Sequence, residues 1–212
     1  MTIFMMIFDR LYLAYGPQGW WPADTPFEMM VGAILVQRTN WNNAEKAMQR
    51  LKPWLDPERL ETLTVEQLAE IIRPSGFYNV KARRIFSLLQ WFKTYDYKLE
   101  NVKVREGRAL REELLQIKGI GRETADCILV YALKKPFFIV DAYTRRIFYR
   151  FGLDMPASYD EFQRKIKKHI PEDVKLYNEY HALLVEHGKR HCRKIPICVH
   201  CPLEDLCLKR LE

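Results

Sequence analysis

The stretch Leu114-Leu115-Gln116-Ile117-Lys118-Gly119-Ile120-Gly121-Arg122-Glu123-Thr124-Ala125-Asp126 narrows the possible folds most. It sets a Gly-x-Gly turn between one amphipathic segment and the start of another, the pattern of a helix-hairpin-helix. Two glycines let the backbone turn tightly and approach a ligand closely. Amides at the second helix's N-terminus can then converge on one phosphate, with Lys118 and Arg122 adding charge and Gly119, Ile120 and Gly121 supplying backbone. Contacts of this kind hold the DNA backbone without reading its sequence. An ordinary αα-corner is the plainer reading of a lone Gly-x-Gly; the full string through Arg-x-Thr-Ala favours DNA.

Helical punctuation recurs elsewhere, and alternating β-branched runs bounded by hairpin turns are nearly missing, so the fold is predicted to be all-α. Thr25-Pro26-Phe27-Glu28 supplies an N-cap, a proline at N1 and a glutamate at N3, opening a helix that runs through Met29, Ile34 and Val36. The same box recurs at Thr64 with Gln67 and at Ser158 with Glu161. Ile72-Arg73-Pro74-Ser75-Gly76 has to interrupt the helix begun at Thr64, and a new one restarts over 79–92. Apolar spacing predicts further helices at 107–116, 122–133, 141–151, 159–169 and 174–187. No linker divides the 212 residues, and the long loop at 15–24 carries Trp20-Trp21-Pro22.

Lysine and arginine number 34 against 27 acidic residues, a net charge of +7 that favours a polyanionic partner, nucleic acid first. With 48% hydrophobic residues, disorder and fibrous repeats are excluded. Met1 to Phe8 is apolar but lacks a preceding basic region and a cleavage site, so no signal peptide is expected. No apolar run reaches the ~18 residues a membrane span needs. A soluble, cytoplasmic protein with no membrane association follows. In that reducing setting Cys192, Cys198, Cys201 and Cys207, spaced C-x5-C-x2-C-x5-C, point to metal over disulfides. Four thiolates suit zinc or a [4Fe–4S] cluster, and His191 or His200 could replace a thiolate at zinc. Lys189, Arg190, Arg193 and Lys194 surround Cys192 and could reach phosphate or form a charged exposed loop; Cys127 reads as a buried apolar residue.

The hairpin string resembles that of the endonuclease III-like (HhH-GPD) DNA glycosylases, and the resemblance runs from about Phe27 to Cys207. Leu35-Val36-Gln37-Arg38-Thr39 looks like the family's helix-end glutamine motif, Ser75-Gly76-Phe77-Tyr78-Asn79-Val80-Lys81-Ala82 like its wedge loop, and Ile139-Val140-Asp141 like its catalytic aspartate motif. Trp20-Trp21-Pro22, Trp41, the hairpin glutamate and Asp141-Ala142-Tyr143 are similar to the 3-methyladenine DNA glycosylase III subfamily. The cysteine loop resembles the family's iron–sulfur loop with one residue fewer in its first interval.

This resemblance implies a helix-hairpin-helix glycosylase fold of two helical lobes with a C-terminal iron–sulfur loop. A six-helix barrel would occupy 23–136, and a second lobe 1–22 plus 137–212. Asp141 would be the catalytic carboxylate, stabilising a sugar cation and orienting water; read from the residues alone, an N-cap is the favoured reading. Gln37 and Phe77 would fill the gap left by an extruded base, where the plainer readings are a helix-end polar residue and a core phenylalanine. Trp20, Trp21, Pro22, Trp41 and Glu123 would form the base pocket. Glu123 could also be a surface residue or tune Asp141, the surface reading coming first, and either indole could simply be core. In strand-cutting relatives a lysine stands where Glu123 is, so the expectation is a monofunctional hydrolase for alkylated purines, without lyase activity. The alternatives are a glycosylase for uracil, mismatched thymine or oxidised bases, with or without lyase activity, and a noncatalytic binder of damaged or branched DNA. The expected partner is damaged double-stranded DNA of the nucleoid, with no obligate protein partner and a monomeric state.

Overall fold

The structure, a computed structural model, describes residues 2–211. In chain order its α-helices are α1 (Ile3–Tyr15), α2 (Pro26–Leu35), α3 (Trp41–Leu51), α4 (Pro57–Glu61), α5 (Val65–Ile71), α6 (Tyr78–Lys93), α7 (Leu99–Lys103), α8 (Gly107–Gln116), α9 (Arg122–Cys127), α10 (Ala142–Phe151), α11 (Tyr159–Lys167) and α12 (Val174–Arg190). The fold is all-α, and no helix among the described residues is long and apolar enough to cross a membrane. The chain forms two compact helical units, Trp21–Lys135 and Met1–Trp20 with Pro136–Glu212.

The middle unit is organised on α2, whose residues from Phe27 to Leu35 are all buried. A helix apolar on every side has to be surrounded. Thr25 caps it by accepting from the Glu28 amide, but the Glu28 carboxylate turns to the Asp24 amide (3.0 Å), so the reciprocal arm of the box forms one residue early. At Thr64 the box closes on both sides with Gln67. With α2 the unit has eight α-helical segments where six helices were expected, because prolines at 53, 57 and 74 cut the polypeptide into short pieces. The helix expected over 122–133 leaves α geometry after Cys127 and continues as a π turn, Ile128–Ala132, entirely buried. One wider turn there adjusts which side chains face inward.

The terminal unit buries Phe4, Ile7 and Leu11 of α1 with Phe148, Phe162, Tyr177, Tyr180 and Leu184 from the last three helices. Helix α1 is absent from the segments that apolar spacing predicts, yet its Phe4, Ile7 and Leu11 form a buried face. Ser158 stands at the N-cap of α11, yet its hydroxyl makes no capping bond, so the third expected box is absent. Helices α10 and α12 pack tightly because Gly188 has no side chain. A Cβ there would lie 2.2 Å from the Tyr143 ring.

Candidate functional site

In the middle unit the hairpin joins α8 to α9 much as the glycine pattern implies, but its two glycines differ. Gly119 has φ 93°, a left-handed conformation, whereas Gly121 is extended at φ −92°. Only the first needs glycine's conformational freedom. Ile120 is buried, while Lys118 and Arg122 are exposed, as a phosphate contact would require. Sequence reading missed the brace beneath this turn: Arg111 on α8 clasps the fully buried Asp126 on α9 through Nε (2.6 Å) and Nη2 (3.3 Å). Two ionic groups separated by 15 residues carry no local pattern that marks them as partners.

Gln37 lies just past the C-terminal end of α2. Its Nε2 donates to the Gly119 carbonyl (3.2 Å) and to Thr124 Oγ1 (3.0 Å), and its Oε1 accepts from Arg84 Nη1. Phe77 is no core residue: it is 62% exposed and held at φ 48° immediately before α6. A bulky side chain in the left-handed region is strained, and the surroundings must hold it there. Lys81 does part of that work. The residue is 1% exposed, and its ammonium donates to the carbonyls of Leu35 and Ser75, both at 2.7 Å. The lysine thereby ties the end of α2 to the loop that presents Phe77, and burial, with Arg84 nearby, pushes its pKa down to about 8.

The unit also contains a cavity of about 290 Å³ lined by Trp21, Pro22, Glu28, Gly32, Trp41 and Met48 among others. Trp21 meets Trp41 and Tyr131 edge-on, with ring centres 5.5 and 5.6 Å apart. Of the five expected pocket residues, three line this cavity: Trp21, Pro22 and Trp41. Two do not. Trp20 belongs to the other unit, where it packs against His181 and under the Lys189 ammonium. Glu123 is exposed in the first turn of α9, in line with its plainer reading.

In the terminal unit Asp141 caps α10, its Oδ1 accepting from the Thr144 amide and hydroxyl, both at 2.7 Å. The preceding Phe138-Ile139-Val140 segment is buried, which fixes where the carboxylate emerges. His181 Nε2 on α12 stands 3.6 Å from Oδ2. Burial raises the cost of the charge, but His181 and the two Thr144 donors outweigh it and hold the carboxyl below the usual aspartate range. The group is therefore a preformed anion in a poorly hydrated setting, suited to stabilising positive charge. His181 carried no signal in the sequence, because it meets Asp141 only through packing of α10 on α12.

The four C-terminal cysteines line one cavity of about 210 Å³ with His187 and His191. All are free thiols. Among the described residues no three His, Cys, Asp or Glu side chains converge at single-ion distances. The donor chemistry fits a thiolate-held group: the buried Arg150 guanidinium lies 3.6 Å from Cys192 Sγ, and its Nε has no hydrogen-bond partner. Burial and neighbouring thiols push Cys201 up to about 11, so these sulfurs need a cation to be held as thiolates together. His191 lines the cavity but its Nδ1 lies 3.0 Å from the Ile197 carbonyl oxygen, and His200 is not in the lining. Of the nearby cations, Arg190 pairs with Glu186 and lies over Tyr15, while Arg193 and Lys194 are exposed. Cys127 is buried in α9.

Residues 31–172 match the HhH-GPD superfamily of base excision DNA repair proteins, and the chain belongs to that family. It is 46% identical, over 96% of its length and 95% of the relative's, to a Methanocaldococcus jannaschii protein named as a DNA repair glycosylase. It is 34% identical to endonuclease III of Thermotoga maritima, covering 86% of this chain and 82% of that one. Among solved structures it resembles a trapped endonuclease III–DNA covalent intermediate (TM-score 0.81, 25% identity, covering 99% and 97% of the two chains). It also resembles the Helicobacter pylori 3-methyladenine DNA glycosylase bound to 1,N6-ethenoadenine (TM-score 0.75, 30% identity, 88% and 97%). The protein is thus a base excision DNA repair protein of the HhH-GPD superfamily.

These findings correct two expectations. Further curated relatives, from Escherichia coli to Bacillus subtilis, are endonucleases III, so the likenesses do not single out the 3-methyladenine subfamily, and a monofunctional enzyme confined to alkylated purines is not supported. Nor is a lyase step excluded, since a structural counterpart at 25% identity is trapped covalently on DNA. Glu123 is a single position, and a missing lysine at one site does not remove every amine from a basic protein.

Proposed function

We propose that the protein is an endonuclease III-type glycosylase that excises oxidised or mismatched bases from duplex DNA and has lyase chemistry at the resulting abasic site. The observation that carries this is Asp141, a buried carboxylate kept anionic by Thr144 and His181 on a chain whose curated relatives are largely endonucleases III. In this reading Gln37 and the exposed Phe77 fill the gap left by the flipped nucleotide. The hairpin holds phosphate through Arg122 and the amides near Gly121. Trp21, Pro22 and Trp41 line the base receptacle. Asp141 stabilises the sugar cation as the glycosidic bond breaks and the base departs.

A lyase step requires an amine that attacks C1′, forms an imine and allows the 3′ phosphate to be eliminated. Glu123 cannot supply it, so the amine comes from another side chain. Lys118, exposed in the same hairpin, is the lysine that the sequence brings nearest. The cysteines Cys192, Cys198, Cys201 and Cys207 would hold a [4Fe–4S] cluster, with zinc the alternative, and the bound group would stiffen the C-terminal loop.

Duplexes each bearing one defined oxidised or mismatched base test the reading. Excision that disappears in Asp141→Asn is expected, and equal release by both proteins would overturn it. Borohydride trapping on the same duplexes should give a covalent adduct that is lost in Lys118→Ala. An adduct retained in that variant reassigns the amine, and no adduct removes the lyase component. Iron and zinc analysis of the purified protein distinguishes the two metal groups.

A further inference from the structure

We infer that Arg84 is a positioning residue that locks Gln37 to the hairpin, so that the gap-filling side chain and the phosphate-holding turn act as one body. The inference rests on the proposed reading of both elements as DNA contacts. Its physical basis is the donor and acceptor inventory of a primary amide. Gln37 spends both Nε2 hydrogens, one on the Gly119 carbonyl and one on Thr124 Oγ1, and turns Oε1 to Arg84 Nη1. A guanidinium only donates and a backbone carbonyl only accepts. Rotating the amide by half a turn would place Nε2 hydrogens against Arg84 and Oε1 against the Gly119 oxygen, replacing attraction by repulsion at both ends. Arg84 and Gly119 together therefore select one orientation of the amide.

The same arginine covers the inside of the turn. Its Cγ, Cδ and Nε occupy the space over Gly119 where a Cβ would stand, at 2.3 to 2.5 Å from the position such an atom would take. One side chain thus touches the hairpin through its stem and Gln37 through its head. It emerges from α6 three residues after Lys81, whose ammonium ties the end of α2 to the Phe77 loop. One helix consequently holds both proposed wedge side chains, and Arg84 connects one of them to the turn. A flexible glutamine would have to be ordered when DNA binds; here that ordering is already in place.

Arg84→Met keeps an apolar stem over Gly119 and removes the donor, which makes it the informative variant. Two probes are used: a duplex with a tetrahydrofuran abasic analogue, and the same duplex unmodified. Arg84→Met should bind the analogue duplex about tenfold more weakly, the loss of one charge-assisted hydrogen bond. Its affinity for the unmodified duplex should be unchanged, because that binding depends on phosphate contacts. Adding Gln37→Ala to Arg84→Met should cost nothing beyond Gln37→Ala alone, since the arginine acts through the glutamine. Arg84→Lys, which restores a donor, should recover part of the discrimination and serves if the methionine variant folds poorly. Equal losses on both duplexes, or additive losses in the double variant, would overturn the inference. If the wild type discriminates and Arg84→Met matches it, the inference alone fails. If the wild type neither discriminates nor excises a base, the functional reading fails, and the inference with it.

Discussion

The two hairpin glycines are equivalent in the sequence and unequal in the structure, and alanine at each position measures the difference. At Gly119 the left-handed backbone costs an alanine about 1–2 kcal/mol. The new Cβ would lie 2.3 Å from Arg84 Nε and displace the side chain that holds Gln37, forfeiting about 1 kcal/mol more. A stiffer unfolded chain returns about 0.4–1 kcal/mol. Gly119→Ala should therefore lose about 2 kcal/mol of stability. Gly121 is extended and nothing lies within 4 Å of its would-be Cβ. Its alanine variant carries the unfolded-state gain against a weaker N-cap, so its stability should stay within about 1 kcal/mol of wild type. DNA binding should separate the pair differently, because the open space beside Gly121 is where a phosphate would approach. Gly121→Ala should be stable yet weak on duplex DNA. Urea unfolding followed by circular dichroism gives the first quantity and fluorescence anisotropy the second. Equal destabilisation by the two substitutions, or a larger loss at Gly121, would refute the assignment of strain to Gly119.

Lys81→Met should cost about 2–4 kcal/mol by leaving two buried carbonyls without a donor. Because burial lowers the folded-state value to about 8, the native lysine sheds its proton before the unfolded one does; wild type should therefore gain on the variant as pH rises above that value, and a constant difference would contradict it. For Asp141, whose carboxyl is held low, stability from its ionised form is intact at neutral pH and is lost as pH falls through the lowered value. Thr144→Val removes one donor and should move the acidic limb of the excision profile up by about one pH unit, with Thr144→Ser restoring it; an unmoved limb would argue against Asp141 as the reacting group.

Helix starts were legible wherever the information was local. Thr64 with Gln67 closes as a box, Asp141 and Thr25 cap as their positions imply, and the Pro74-Ser75-Gly76 break separates α5 from α6. Ser158 shows the limit of such reading, since a suitable residue type at an N-cap does not oblige its hydroxyl to bond. The π turn after Cys127 left no local trace, because it depends on how a fully buried segment meets its neighbours.

What the residue order determined was thus a set of local consequences: helical punctuation, a glycine turn with cations beside it, a carboxylate at a helix start and a cluster of thiols. Tertiary structure decided the rest. It divided adjacent Trp20 and Trp21 between two units, exposed Phe77 where a core position was equally open, and set His181 beside Asp141 and Arg84 beside Gln37. Such pairings join side chains 40 or more residues apart. Spacing along a chain encodes a face of a helix, whereas the meeting of two faces depends on the packing of the whole unit.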